Sequence, residues 1–313
     1  MYDVPHTSIW PLRQKPDARV TPHPSQDVRM SLPSRRQRIA ALARLELTDS
    51  LRSRWLQFAA AVYILVFGAF VWLGLRESSV LGFTGLSRVV LNVANATVVA
   101  VPLVALVATC QSIAKARTSG HLELLFTQPT QRNDWFIGLL LARLVVLLGP
   151  LVALLATTAV VGLVTTGQDA SLLPMVVHAL LVSTSLVLAY VGLGLLVSAI
   201  AQSLERAVVY ALLVWLASVA LHDFALIGVL LQWHVPAPVV FALAAMNPVE
   251  AARLAVLASV DPELSVLGPV GFWIANELGA NLAYFFGLAW PATVGIVSLL
   301  IAARLVRKGD AVR

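Results

Sequence analysis

The sequence predicts an all-α polytopic membrane protein. The expected architecture is six transmembrane helices, an N-terminal amphipathic interfacial helix and short outer-leaflet helices between spans five and six. Three observations carry that prediction. Of the 313 residues, 59% are hydrophobic and 12% charged, against roughly 45–50% and 25% in soluble domains, so a soluble fold would lack the charge to wet its surface. Apolar stretches close to the ~20 residues that cross a bilayer recur along the chain. The basic residues are also segregated among the segments that join those stretches.

Residues 1–33 hold six prolines and few apolar side chains, the composition of a disordered leader. The first apolar stretch begins only at Trp55, too deep for a cleaved signal peptide. Between these, residues 34–54 interleave Ile39, Leu42, Leu45 and Leu51 with Arg35, Arg36, Arg38, Arg44, Arg52 and Arg54. That pattern predicts a basic amphipathic helix on an anionic leaflet. A nucleic-acid arm is the rival reading of the arginines; the direct run into an apolar stretch favours the membrane.

The six-span domain occupies residues 55–303. Its apolar stretches are 55–75, 91–110, 135–164, 172–200, one starting at Ala207 and one ending near Ala303. The fifth is uninterrupted to Leu221, after which His222 and Asp223 fall near the far interface. The sixth carries Trp290 and Pro291, where a kink is expected. An N-terminus inside places both ends in the cytoplasm. Only Arg76, Arg88 and Arg253 of the 22 basic residues then fall outside, leaving 19 inside, among them Arg304, Arg307 and Lys308 of the 304–313 tail. The positive-inside rule is met by that orientation and violated by its inverse.

The extracytoplasmic segment 222–282 leaves two readings open. Residues 235–257 and 264–283 are apolar enough for an eight-span chain. Pro236, Pro238, Pro248, Glu250 and Arg253 argue against crossing there, since such groups are costly in lipid. Asn247-Pro248-Val249-Glu250 reads instead as a helix start, with Asn247 as N-cap and Pro248 in the first turn, and Asp261-Pro262-Glu263 repeats the pattern. Six spans with short outer-leaflet helices is the favoured count.

Several chemistries are excluded by what the sequence lacks. Its three lysines, Lys15, Lys115 and Lys308, sit in no glycine-rich phosphate loop. No zinc-protease pair or glycine-framed nucleophilic serine occurs. The spans carry almost no ionisable groups beyond Arg143 and His178, whereas ion-coupled transporters place acids at mid-membrane. Neither a catalytic residue nor a cofactor site is expected in this chain, and an external energy source is the natural inference. The lone Cys110 pairs with nothing in the chain. On the outer face His178, His222, Asp223 and His234, with Met175 and Met246, offer donors for copper(I). Ordinary interfacial hydrogen bonding accounts for the same residues.

The cytoplasmic segment 111–134 remains. Gly120 breaks it, His121 to Phe126 form a short apolar-rich stretch around Glu123, Pro129 ends that stretch, and Asn133 or Asp134 is placed to cap the third span. Spacing alone fits equally a surface helix presented to a motor subunit and a plain solvated loop.

Resemblance separates the two. The run from Ser119 to Leu144 resembles the coupling segment of type-two ABC transporter permeases, through Gly120, Leu122, Glu123, Leu125, Pro129, Arg132 and Gly138. The segment around Glu46, Asp49, Arg52, Arg54 and Trp55 is similar to the approach to the first span in permeases that serve nitrous oxide reductase maturation. LGFTG after that span, the run from Ser198 to Leu231, NPVEAARL, and the tail of Arg307-Lys308-Gly309-Asp310 match as well, so the likeness extends from about Ile39 to Asp310. It implies a non-enzymatic permease of the bacterial inner membrane. It further implies a permease homodimer, a separate ATPase subunit that binds ATP and docks on Gly120, His121, Leu122, Glu123, Leu125, Pro129 and Arg132, and a periplasmic accessory protein. Anionic lipid is the expected partner of the interfacial helix, and no nucleic acid is expected. Two departures stand out: Lys115-Ala116-Arg117 precedes the glycine where the family carries acids, and His121 follows it where the family carries threonine. A membrane enzyme and a structural scaffold are the alternatives from other classes.

Overall fold

The computed structural model describes residues 34–52, 85–127, 130–166, 172–232 and 235–308, with isolated positions between 57 and 68. The leader 1–33, the first apolar stretch 55–75, Pro129, His234 and residues 309–313 therefore lie largely or wholly outside the described residues. Every regular element among those described is helical. They are α1 (Arg35–Arg52), α2 (Gly85–Thr109), α3 (Ser112–Thr118), α4 (His121–Phe126), α5 (Arg132–Thr166), α6 (Leu172–Ile200), α7 (Leu204–Trp215), α8 (His222–Gln232), α9 (Ala237–Ala245), α10 (Pro248–Val260), α11 (Gly268–Glu277) and α12 (Ala280–Lys308). A π-helical turn, Leu216–Leu221, joins α7 to α8 without a break.

Five described stretches are long and apolar enough to cross a membrane: Val98–Thr118, Arg132–Thr157, Leu173–Ile200, Leu204–Val229 and Ala280–Lys308. The fifth span of the sequence reading is thus one helix from Leu204 to Gln232 that runs through His222 and Asp223. With 35 residues, α5 is ~52 Å long at 1.5 Å per residue, so it extends past a hydrocarbon core of about 30 Å.

At the centre stands α6, packed against α12, α2, α5 and α10. A helix apolar on all sides belongs in a core, and Leu186, Val187, Ala189, Tyr190, Val191 and Leu195 are each at most 1% exposed. Its approach to α12 needs glycine on both sides: a Cβ on Gly192 would lie 2.5 Å from the Gly295 carbonyl oxygen. Small residues that bring backbones together are how helices associate where lipid gives no hydrophobic drive.

The segment 235–277 folds back on itself. The axes of α9 and α10 turn through 115° at Met246 and Asn247. Asn247 caps α10 as expected, its Oδ1 accepting from the Val249 amide at 3.0 Å. Its Nδ2 donates to the Ser218 carbonyl in the π-helical turn, and Trp290 Nε1 donates to the Met246 carbonyl at 3.1 Å. The chain enters α9 from the end of the bundle reached by α8 and leaves α10 beside Ala283, at the start of α12. Both ends of the hairpin therefore lie at one end of the bundle, hereafter the distal end. The apolar run 235–257 is thus two helices bent sharply against each other rather than one straight crossing. Asp261 does not repeat the cap of Asn247: it ends α10, and its carboxylate accepts from the amides of Glu263 at 3.1 Å and Ser265 at 2.8 Å. That tight turn leads through Ser265–Leu267 to α11.

Candidate functional site

The opposite, proximal end of the bundle carries residues 111–134. Here α3 and α4 meet at Gly120, whose φ of +70° is a left-handed conformation open to glycine at little cost. The turn sets α4 with Leu122 and Leu125 against the core, at 2% and 8% exposure, while Leu124 is 70% exposed and Glu123 also faces outward. The site residues expected from the sequence thus divide by role. Leu122 and Leu125 anchor the helix, and Glu123 presents its surface together with Leu124, which the sequence reading missed. The signal was present in the i, i+3 spacing of Leu122 and Leu125, which puts both on one side of a helix. The side chain of His121 and all of Pro129 are outside the described residues.

Three connections fix this surface to the ends of the spans. At α3, the Ser198 hydroxyl near the end of α6 accepts from the Ile113 amide at 2.9 Å and the Ala114 amide at 3.1 Å. It does for α3 what an N-cap side chain does, but from a residue distant in sequence. Arg117 reaches back from α3, donating to the carbonyls of Ser198 at 3.3 Å and Ala201 at 2.9 Å. A cation on the last carbonyls of a helix satisfies groups that the helix cannot. Arg117 is therefore a cap for α6, and the basic approach to the glycine is partly spent within the bundle.

The second connection is Arg132, whose guanidinium donates to the carbonyls of Val306 at 3.2 Å and Arg307 at 3.3 Å. It closes the last turn of α12 as Arg117 closes that of α6. Thr130 helps hold the intervening chain, its hydroxyl donating to the Leu125 carbonyl at 2.8 Å.

The third connection joins α5 to α1. Because α5 starts at Arg132, Asn133 and Asp134 lie within its first turn, and neither is its cap. Asp134 is wholly buried, with Arg35 Nε at 3.0 Å and Arg38 NH2 at 3.2 Å from its carboxylate. Further along, Trp135 Nε1 donates to Glu46 at 2.9 Å, and Arg143 donates to the Ser50 hydroxyl at 2.6 Å. Gly138 lets the two backbones approach, since a Cβ there would stand 2.9 Å from Leu42 Cβ. The helix expected at the membrane surface uses Leu42, Glu46 and Ser50 to dock on α5. Leu45 and Leu51 are left exposed at 45% and 58%. Asp49 and Arg52 are exposed beside them, and Arg54 is outside the described residues.

Of the distal candidates, His234 lies outside the described residues. The ring of His178 packs edge-on against Tyr284 at 4.8 Å, and Asp223 pairs with Arg253 at 3.6 Å. Among the described residues no group of three or more His, Cys, Asp or Glu is placed to hold a metal ion.

A family model described as "ABC-2 family transporter protein" matches residues 40–306. Over 264 residues the chain is 30% identical to "Probable ABC transporter permease protein NosY" of Pseudomonas aeruginosa, which covers 79% of this chain and 96% of that one. Over 271 residues it is 26% identical to the protein of the same name from Stutzerimonas stutzeri, with 85% and 97% covered.

Proposed function

This chain belongs to the ABC-2 transporter family, and from that premise we propose that it couples ATP hydrolysis by a separate ATPase subunit to transport or mechanical signalling across the membrane. A permease of this family works with such an ATPase, and the chain resembles NosY permeases over most of its length. The observation that carries the reading is the outward pair Glu123 and Leu124 on a helix anchored by Leu122 and Leu125, whose flanking helices are tied to the ends of α6 and α12. A protruding apolar side chain beside a carboxylate is what a partner surface engages, and a rigid mount is what transmits force.

The path we propose runs through α12. Its proximal end is gripped by Arg132 at the start of α5. At its distal end Gly287 allows α12 to lie against the backbone of α10 at Ala251, and Trp290 holds the Met246 carbonyl. A push on α4 thus moves the hairpin as a lever rather than dissipating in a flexible loop. Two such chains form the working unit, with both termini cytoplasmic, and the hairpin faces the periplasm. There it acts on an accessory protein that serves the copper–sulfur centre of nitrous oxide reductase in denitrification. Alternatively, the cargo is another exported substrate. Catalysis resides in the ATPase.

The test is Glu123→Lys. The expected result is loss of co-purification with the ATPase while the variant still inserts and is purified as the wild type is; unchanged assembly and ATPase stimulation would sink the assignment.

A further inference from the structure

We infer that the hairpin holds a binding pocket for an amphiphilic amine, with an apolar body buried between α9, α10 and α11 and an ammonium head at Glu250. A cavity of about 180 Å³ lies between these helices, walled by Phe241, Ala244, Leu254 and Ile274, with Glu250 and Arg253 at its edge. An apolar cavity of roughly 150 Å³ stays dry and takes up a benzene-sized molecule, so the fit is to an apolar body of roughly six to ten carbons. Convergent polar groups at the margin of such a space are what fix a ligand's orientation.

The charge at that margin is unbalanced. Arg253 NH1 stands 2.7 Å from Glu250 Oε1 and 3.6 Å from Asp223 Oδ2, so one guanidinium serves two carboxylates. Glu250 is mostly buried, with 13% of its side chain exposed. Its Oε1 accepts no hydrogen bond despite the short approach of Arg253. With both carboxylates ionised, one negative charge is left over beside a buried acceptor that Arg253 approaches at a poor angle for a hydrogen bond. A carboxylate or phosphate head would meet two acids, whereas an ammonium donates to Glu250 and completes the pairing of charges. Pairing and hydrogen bonding are what make a charge tolerable away from water. This inference does not depend on ATPase coupling, because the pocket lies at the end of the bundle away from α4.

The size of the cavity and the two acids at its margin favour a soluble alkylamine over a phospholipid, which brings a phosphate and two long chains, and the experiment separates the two sources. The full chain with its ATPase is purified in a neutral detergent, and binding of labelled octylamine is measured beside octanoate and octanol. One saturable octylamine site per chain is expected, with octanoate binding only nonspecifically. Glu250→Gln should weaken octylamine binding about tenfold through loss of a charged hydrogen bond. Ala244→Phe, which fills the cavity without touching the charges, should abolish it. Native mass spectrometry then reads the source. A saturable site without retained lipid is expected, and a retained phosphatidylethanolamine displaced by octylamine would overturn the assignment to a soluble amine. Equal binding of octylamine and octanoate, or octylamine binding unchanged in both variants, would overturn the inference.

Discussion

Replacing Asp134 by Asn keeps the size and shape of the side chain and removes its charge, which isolates the contribution of the buried pair that ties α1 to α5. The carboxylate is wholly buried, and Arg35 and Arg38 lie 3.0 and 3.2 Å from it. Removing one partner of a fully buried ion pair costs about 3–5 kcal/mol. Arg35 is 61% exposed and Arg38 23%, so both arginines recover part of their hydration when released, and we discount the cost to about 2–3 kcal/mol. If that loss falls on the docking of α1, the population with α1 detached rises roughly 30- to 150-fold, at tenfold per 1.4 kcal/mol. Hydrogen exchange reads this directly. Amides of α1 between Arg38 and Ser50 should exchange faster by that factor, while those of α6 remain protected. Tryptic cleavage after Arg35, Arg36 and Arg38 should accelerate in parallel. Unchanged protection of α1 in Asp134→Asn would refute the reasoning, since it would mean that Leu42, Glu46 and Ser50 hold the helix without the pair.

Two further outcomes follow from the other connections. Ser198→Ala removes the acceptor for the Ile113 and Ala114 amides, a loss near the ~1 kcal/mol typical of a cap residue, and these two amides should exchange several-fold faster with the bundle otherwise unaltered. Arg132→Met keeps the aliphatic stem and removes the donors to Val306 and Arg307; ATPase binding should persist while transmission to the hairpin is lost, read as ATPase activity that no longer responds to the permease.

The sequence made the five described spans and their order legible because apolar runs of bilayer length have few other uses. Asn247 was legible for a similar reason: its cap is made to a residue two positions away, so local chemistry specifies it. Asp261 misled the same reasoning, because an aspartate before proline serves a tight turn as well as a helix start, and only the preceding helix decides between them. The partners of Asp134, Arg117 and Arg132 are far away in sequence, and nothing local announces which charged residue will meet a distant helix end. The docking side of α1 was not legible, because Gly138, which opens α5 to Leu42, lies far away in sequence. Leu124 lay in plain view, but its outward direction follows only once Leu122 and Leu125 are seen to face the bundle.

The central claim, that α4 is the surface on which the ATPase docks, is tested most directly by crosslinking from Leu124. The only cysteine, Cys110, is buried, so in a Cys110→Ser background Leu124→Cys supplies a single exposed thiol. Met246→Cys is the control, exposed at 69% but on the distal hairpin. Coexpressed with the ATPase and treated with a short thiol-to-amine crosslinker, the Leu124→Cys chain should give a permease–ATPase product in high yield and the Met246→Cys chain none. Equal yields from the two positions, or none from Leu124→Cys in an assembled complex, would contradict the account.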